Sequence, residues 1–172
     1  MKKTTKQSPL VMIGGAADAA DVLHATGFTA PDPFVCIVDG SWAHLIVSTL
    51  ELGRAKAVSG NVTCHTPEDL GVDRTTRGLG GHVLAYCQAK KKTKIRVSSR
   101  CPIGMVRKIE SEGIQVEIQT DPLRPSRLIK TSDEIKKLGQ AQRAAVAGIA
   151  TAKKLIQDST IRRDGVLMEK RG

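Results

Sequence analysis

Ile95-Arg96-Val97, Cys101-Pro102-Ile103-Gly104-Met105-Val106-Arg107-Lys108-Ile109-Glu110-Ser111 and Ile114-Gln115-Val116-Glu117-Ile118 decide the fold. The first piece is a short apolar run that reads as a strand. The second predicts a helix from Cys101 to Ser111, with Pro102 near its first turn, where a missing N–H costs no hydrogen bond. Gly113 ends it, and Ile114–Ile118 alternates apolar and polar residues with the period of a strand. Strand, helix and strand on such short connections make a β-α-β unit, whose two strands run parallel. The sheet is therefore partly parallel and covered by helices, and the class is α/β.

Upstream, Leu10–Gly14 reads as the first strand, broken by Gly14-Gly15. Asp18 to His24 predicts a short helix, capped by Asp18 and closed by Gly27. Phe34–Val38 is a strand, and Asp39-Gly40 is a hairpin signal leading into a second strand near His44–Val47. Ser48 or Thr49 caps a helix running to Lys56, and Asn61–Cys64 is a short strand. Between Asp73 and Ala89 the glycines at 78, 80 and 81 interrupt the pattern, and a helix is predicted only over Val83–Ala89.

Downstream, Pro122 and Pro125 mark a boundary, dividing the chain into 1–124 and 125–172. Thr131-Ser132-Asp133-Glu134 is a capping box that opens a long helix reaching about Gln157. Its apolar face runs Ile135, Leu138, Gln142, Ala145, Ile149, Ala152 and Ile156, in alternating steps of three and four with one polar member, widened by Val146 and Leu155. Ile135, Leu138, Ala145, Ile149, Ala152 and Ile156 are the interface candidates, because so long a stripe left uncovered would be an exposed apolar patch. Arg163 to Glu169 reads as a turn beginning a strand, so the last third is expected to be the opening of a second domain.

Composition bounds the function. The 172 residues carry net charge +10 and 40% hydrophobic but only 2% aromatic residues. The core must be aliphatic, and single-strand nucleic acid binding lacks its stacking platforms. No apolar run approaches the ~18–20 residues that span a bilayer. The start, Met1-Lys2-Lys3 followed by Leu10–Gly14, imitates a signal peptide, but its apolar stretch is short and soon meets Asp18 and Asp21. Four cysteines without a CxxC pair predict reduced thiols and a cytoplasmic protein. The charge is uneven: −4 over residues 7–89, +8 over 90–108 and +6 over 121–172.

Each chemical constellation has a plainer structural reading. Cys64-His65, His82, Cys87 and Cys101 lack the paired spacing of a zinc site. Gly78-Leu79-Gly80-Gly81 lacks the GK[ST] of a phosphate loop and reads as a flexible helix lead-in. Ser48, Cys64 and Cys101 sit in no nucleophile elbow, and Glu68, Asp69 and Asp73 read as turn and helix caps. Lys90, Lys91, Lys92, Lys94, Arg96, Arg100, Arg107 and Lys108 form a basic patch without interleaved aromatics, which reads as a solvated face rather than a nucleic-acid site.

Several segments together resemble the N-terminal domain of the creatinase / Xaa-Pro peptidase superfamily, the pita-bread metallopeptidases that include prolidase and aminopeptidase P. Ala25-Thr26-Gly27-Phe28 resembles that family's YLTGF turn, with Ala25 where the family usually has Tyr. The hairpin Phe34–Gly40, Ser48-Thr49-Leu50-Glu51, and Val97 to Gly104, similar to the family's P..FPLG helix entry, follow in order. Arg127-Leu128-Ile129-Lys130-Thr131-Ser132-Asp133-Glu134-Ile135 resembles the R.IKS..EI linker that opens the catalytic domain. Ala141-Gln142-Arg143-Ala144 and Arg163-Asp164-Gly165-Val166-Leu167 continue it.

The resemblance implies a three-layer α/β domain over 1–124, with a mixed, partly parallel sheet flanked by helices. Over 125–172 it implies the linker and first long helix of a truncated catalytic domain. In the family two divalent metal ions (Mn, Co or Zn) are held by two Asp, one His and two Glu of that second domain, and the chain ends before any of them. No catalytic, cofactor-binding or metal-binding residue therefore transfers. The implied role is to cover the active site and to mediate oligomerisation, with the catalytic domain or a second copy of the chain as partner. A proline-containing peptide is the substrate only of a full-length parent. The reading from a different class is a stand-alone basic adaptor that binds nucleic acid or an acidic protein through 90–108 and the last helix. A small independent hydrolase or transferase has no motif in its favour.

Overall fold

A computed structural model describes residues 7–15, 18–72 and 77–168. Lys2, Lys3, Asp73 and Glu169 lie outside them. The chain divides into two compact units, one ending at Arg127 and one beginning at Leu128.

The first unit is built on six strands: β1 (Leu10–Gly14), β2 (Phe34–Asp39), β3 (Trp42–Ile46), β4 (Val62–His65), β5 (Lys94–Ser98) and β6 (Gln115–Gln119). They lie in the order β4-β3-β2-β1-β5-β6. The pairs β1/β2 and β2/β3 are antiparallel, whereas β1/β5, β3/β4 and β5/β6 are parallel, so the sheet is mixed. Asp39 pairs with Trp42 across the tight turn at Gly40-Ser41, with Gly40 at φ 67°, as the Asp-Gly signal predicts.

Helices cover both faces. On one lie α1 (Ala19–Thr26) and α2 (Thr49–Lys56); on the other lie α3 (Leu79–Ala89) and α4 (Ile103–Ser111). Alternation along β1 and β2 divides the core accordingly. Leu10, Met12, Phe34 and Cys36 pack with Val22, Phe28 and Ala55, whereas Val11, Ile13, Val35 and Ile37 pack with Val83, Tyr86, Met105 and Ile109. Strands buried on both faces read as continuous apolar runs, and β1 and β2 do. A short helix, α5 (Arg124–Leu128), spans the division between the units.

Three local expectations need correction. Asp18 occupies the N-cap position of α1, yet its side chain makes no capping bond; the carboxylate accepts from the Ile13 amide instead, at 3.1 Å. Ser48 likewise precedes α2 without a side-chain cap. Gly80 and Gly81 do not interrupt a helix but lie buried within α3, which starts at Leu79. A Cβ on Gly80 would stand 3.4 Å from Lys108 Cδ and 3.6 Å from Met105 Cγ, so this position of α3 faces α4 at ordinary contact distance.

The second unit is α6 (Ser132–Asp158) followed by a small antiparallel hairpin of β7 (Thr160–Ile161) and β8 (Leu167–Met168). The capping box forms as read: the Glu134 amide donates to Thr131 Oγ1 at 3.2 Å, and the Thr131 amide donates to Glu134 Oε2 at 2.7 Å. Among the described residues no helix is long and apolar enough to cross a membrane.

Candidate functional site

Half of the basic patch, Lys92, Lys94, Arg96 and Arg100, is bonded inside the first unit. Lys92 Nζ lies 2.6 Å from Asp39 Oδ2, and Lys94 Nζ lies 3.2 Å from Glu117 Oε2. Arg96 donates to the Ser8 carbonyl and the Gln119 side chain. Arg100 serves three carboxylates at once. Its Nε donates to Asp18 at 3.1 Å, its Nη2 to Asp21 at 2.6 Å and its Nη1 to Asp121. Arg127 adds a bond to the other oxygen of Asp21 at 2.5 Å. Asp18 and Asp21 are buried, so these guanidinium groups supply the counter-charges that make their burial tolerable. Arg100 of this patch, with Arg127 from outside it, thus forms a structural lock between α1 and the segments after β5 and β6. Charge consumed in this way is withdrawn from any phosphate-binding role.

A second polar cluster lies on the α3 side of β3 and β4. The His44 ring stacks on His65 with centroids 5.8 Å apart, and it meets Tyr86 at 5.1 Å. The Tyr86 hydroxyl donates to Asp39 at 3.3 Å. Burial, then the His65 imidazole, Lys90 and Lys92, push the pKa of His44 down; burial and Lys90 do the same to His65. Burial also lowers His82. Nδ1 of His44, Nε2 of His65 and Nδ1 of His82 are buried without a hydrogen-bond partner. Cys64, considered above with His65, packs with the opposite core. Among the described residues no three side chains are placed to hold a metal ion.

The nucleophile candidates are equally quiet. The four cysteines are free thiols. Burial pushes Cys36 up to about 12 and Cys87 and Cys101 up to about 11, so each stays protonated and weakly reactive at neutral pH. One pair lay beyond sequence reasoning: His24 Nε2 is 3.1 Å from Ser126 Oγ, from opposite ends of the unit. Ser126 donates its single proton to the Leu123 carbonyl at 2.9 Å, so the imidazole must be the donor toward Ser126. That polarity anchors α5 and does not activate a hydroxyl. Beside the pair is an open cleft of about 390 Å³ at the β2–β3 turn, flanked by the half-exposed Trp42.

The interface candidates lie together on α6. Ile135, Leu138, Ala145, Ile149, Ala152 and Ile156 are all exposed, Ile149 by 70%. A shallow hollow of about 380 Å³ at the start of the stripe is lined by Lys130, Glu134, Lys137, Leu138 and Ala141.

No protein-family model and no curated protein matches the chain. Solved structures do. The X-Pro aminopeptidase of Thermotoga maritima MSB8 superposes with TM-score 0.70 at 15% identity, over 91% of this chain and 43% of that one. The prolidase of Pyrococcus furiosus gives 0.62 at 18% identity, over 91% and 42%. A Xaa-Pro aminopeptidase of Streptococcus thermophilus gives 0.52 at 13% identity, over 70% and 84%. The six-stranded sheet with its flanking helices and long C-terminal helix has the fold of a prolidase N-terminal domain. The chain spans less than half the length of the Thermotoga and Pyrococcus enzymes it superposes on.

Proposed function

We propose that this chain is the non-catalytic N-terminal domain of a Xaa-Pro peptidase or creatinase-like hydrolase, followed by the start of the catalytic domain. Residues 1–124 cover the active site and 125–172 open the second domain. The observation that carries this reading is the pairing of coverages: 91% of this chain superposes on less than half of a prolidase or X-Pro aminopeptidase. The buried thiols and internally bonded polar groups of the first unit support a covering role over a chemical one.

In this reading the divalent metal ions, Mn, Co or Zn, and the proline-containing substrate belong to the catalytic domain. The chain contributes positioning and oligomerisation, in the cytoplasm, where its four thiols remain reduced. The purified chain, given a Xaa-Pro dipeptide with Mn²⁺, Co²⁺ or Zn²⁺, is expected to release no proline. Metal-dependent turnover would overturn the reading.

A further inference from the structure

We propose that β4 and the turn of helix after it, Glu68–Leu70, form an acid-released edge of the sheet, which parts from β3 when the stacked imidazoles of His44 and His65 take up protons. The other strands stay paired.

This edge is lightly held. β4 is an outermost strand and pairs only with β3. All four of its residues are half-buried. Successive side chains of a strand face opposite sides. Val62 and Cys64 pack with the core on the α2 side, which leaves Thr63 and His65 for the α3 side. His65 is thus the ring by which β4 meets that side, and it lies on His44 with the two planes 20° apart. Two titratable rings stand where an apolar cross-strand pair would be indifferent to pH.

Among the described residues, Nδ1 of His44 and Nε2 of His65 are buried without a hydrogen-bond partner. An imidazolium carries N–H at both nitrogens, so either ring, once protonated, holds a buried donor with no acceptor beside it. The surrounding charges do not offset that cost. Lys90, at the end of α3, disfavours a proton on both rings, and Lys92 disfavours one on His44. Tyr86 of α3 is neutral, with burial raising its pKa. Asp39 favours a proton on His44, but its carboxylate already serves Lys92 and the Tyr86 hydroxyl. Asp69 favours one on His65, but it accepts from the Thr66 amide at 2.8 Å, and Lys56 of α2 also acts on it. Glu68 acts on His82. A second proton on the pair would set two cations ring to ring.

Parting β4 from β3 gives both imidazoles to water, where each takes up its proton below about pH 6.5. The effect is confined to this edge because β1, β2, β5 and β6 contain no histidine.

The test is hydrogen–deuterium exchange of the full chain at pH 7.5 and 5.5, read by peptide and corrected for the intrinsic effect of pH. Residues 61–70 are expected to lose about tenfold in protection at pH 5.5, whereas peptides covering 10–14 and 94–98 keep theirs. His44→Gln/His65→Gln is expected to abolish the loss. His82→Gln is expected to leave it, since Glu68 favours the proton there. Unchanged protection of 61–70 in the parent chain, or an equal loss over 10–14 and 94–98, would overturn the proposal, and neither result needs a variant that folds. A loss that persists in the double variant, or that His82→Gln removes, would overturn it as well.

Discussion

Gly14 on β1 and Phe34 on β2 are cross-strand partners, and the phenylalanine ring lies over the glycine where a side chain would stand. A Cβ on Gly14 would come within 2.5 Å of Cε1 and 2.7 Å of Cε2. The ring is held there by Phe28, edge to face at 5.2 Å. Gly14→Ala must therefore displace Phe34, at a cost of about 2–3 kcal/mol of overpacking. In a Phe34→Leu background the same substitution should cost less than half as much. Urea unfolding of the four chains checks this, and additive effects would show that the two positions do not compete for space.

Arg100 is the common partner of Asp18, Asp21 and Asp121. Arg100→Met strands buried carboxylate charge, although Asp21 keeps Arg127. With the guanidinium itself partly exposed, the expected loss is about 2–4 kcal/mol. Arg100→Lys should recover only part of it, because an ammonium is a point charge and cannot span three carboxylates as a fork does. Thermal unfolding of both variants distinguishes the cases; equal stability of Lys and Met would count against the fork.

His44, His65 and His82 are all held below their ordinary value, chiefly by burial. The unfolded chain then binds more protons than the folded one once pH falls below about 6.5, so stability declines there and goes on declining toward the lower folded values. Lys90 and Lys92 add to the lowering of His44, whereas Asp39 opposes it. Asp69 opposes it at His65 and Glu68 at His82. His44→Gln/His65→Gln is expected to flatten the stability profile between pH 7.5 and 5.5, measured by urea unfolding at each pH. An unchanged slope would assign the acid sensitivity elsewhere.

Thr131 and Glu134 close the N-terminus of α6 through two reciprocal bonds. Thr131→Ala removes one acceptor and is expected to cost about 1 kcal/mol. Because α6 buries no residue of its own, the loss should appear as fraying, read as a fall in ellipticity at 222 nm, and Thr131→Ser should restore it.

Local signals were legible wherever neighbours along the chain determine the structure. The alternation of Ile114–Ile118, the Asp39-Gly40 turn, the Gly27 cap at φ 71° and the capping box each need only a few adjacent residues. The misread positions answer to distant partners. Asp18 looks like a cap because its real partner, Arg100, is 82 residues away. Gly80 looks like a helix breaker because the packing that buries it inside α3, against Met105 and Lys108, comes from another helix. His44, His65 and Tyr86 meet only through the register of β3 with β4 and the packing of α3, which no short motif encodes. The α6 stripe was readable in full, since helical periodicity is a local property.

The strand order carries a consequence for how the domain opens. β1 to β4 pair with near neighbours in sequence, and β5 with β6 form a second local group. By strand pairing the two groups meet only at β1/β5, where the parallel register spans just Leu10↔Arg96 and Val11↔Val97. This seam is the shortest pairing in the six-stranded sheet. The sheet is two locally paired groups joined at β1 and riveted beside the seam by Arg100, so a nascent chain completes the pairing of β1 only once residues 94–100 have been made.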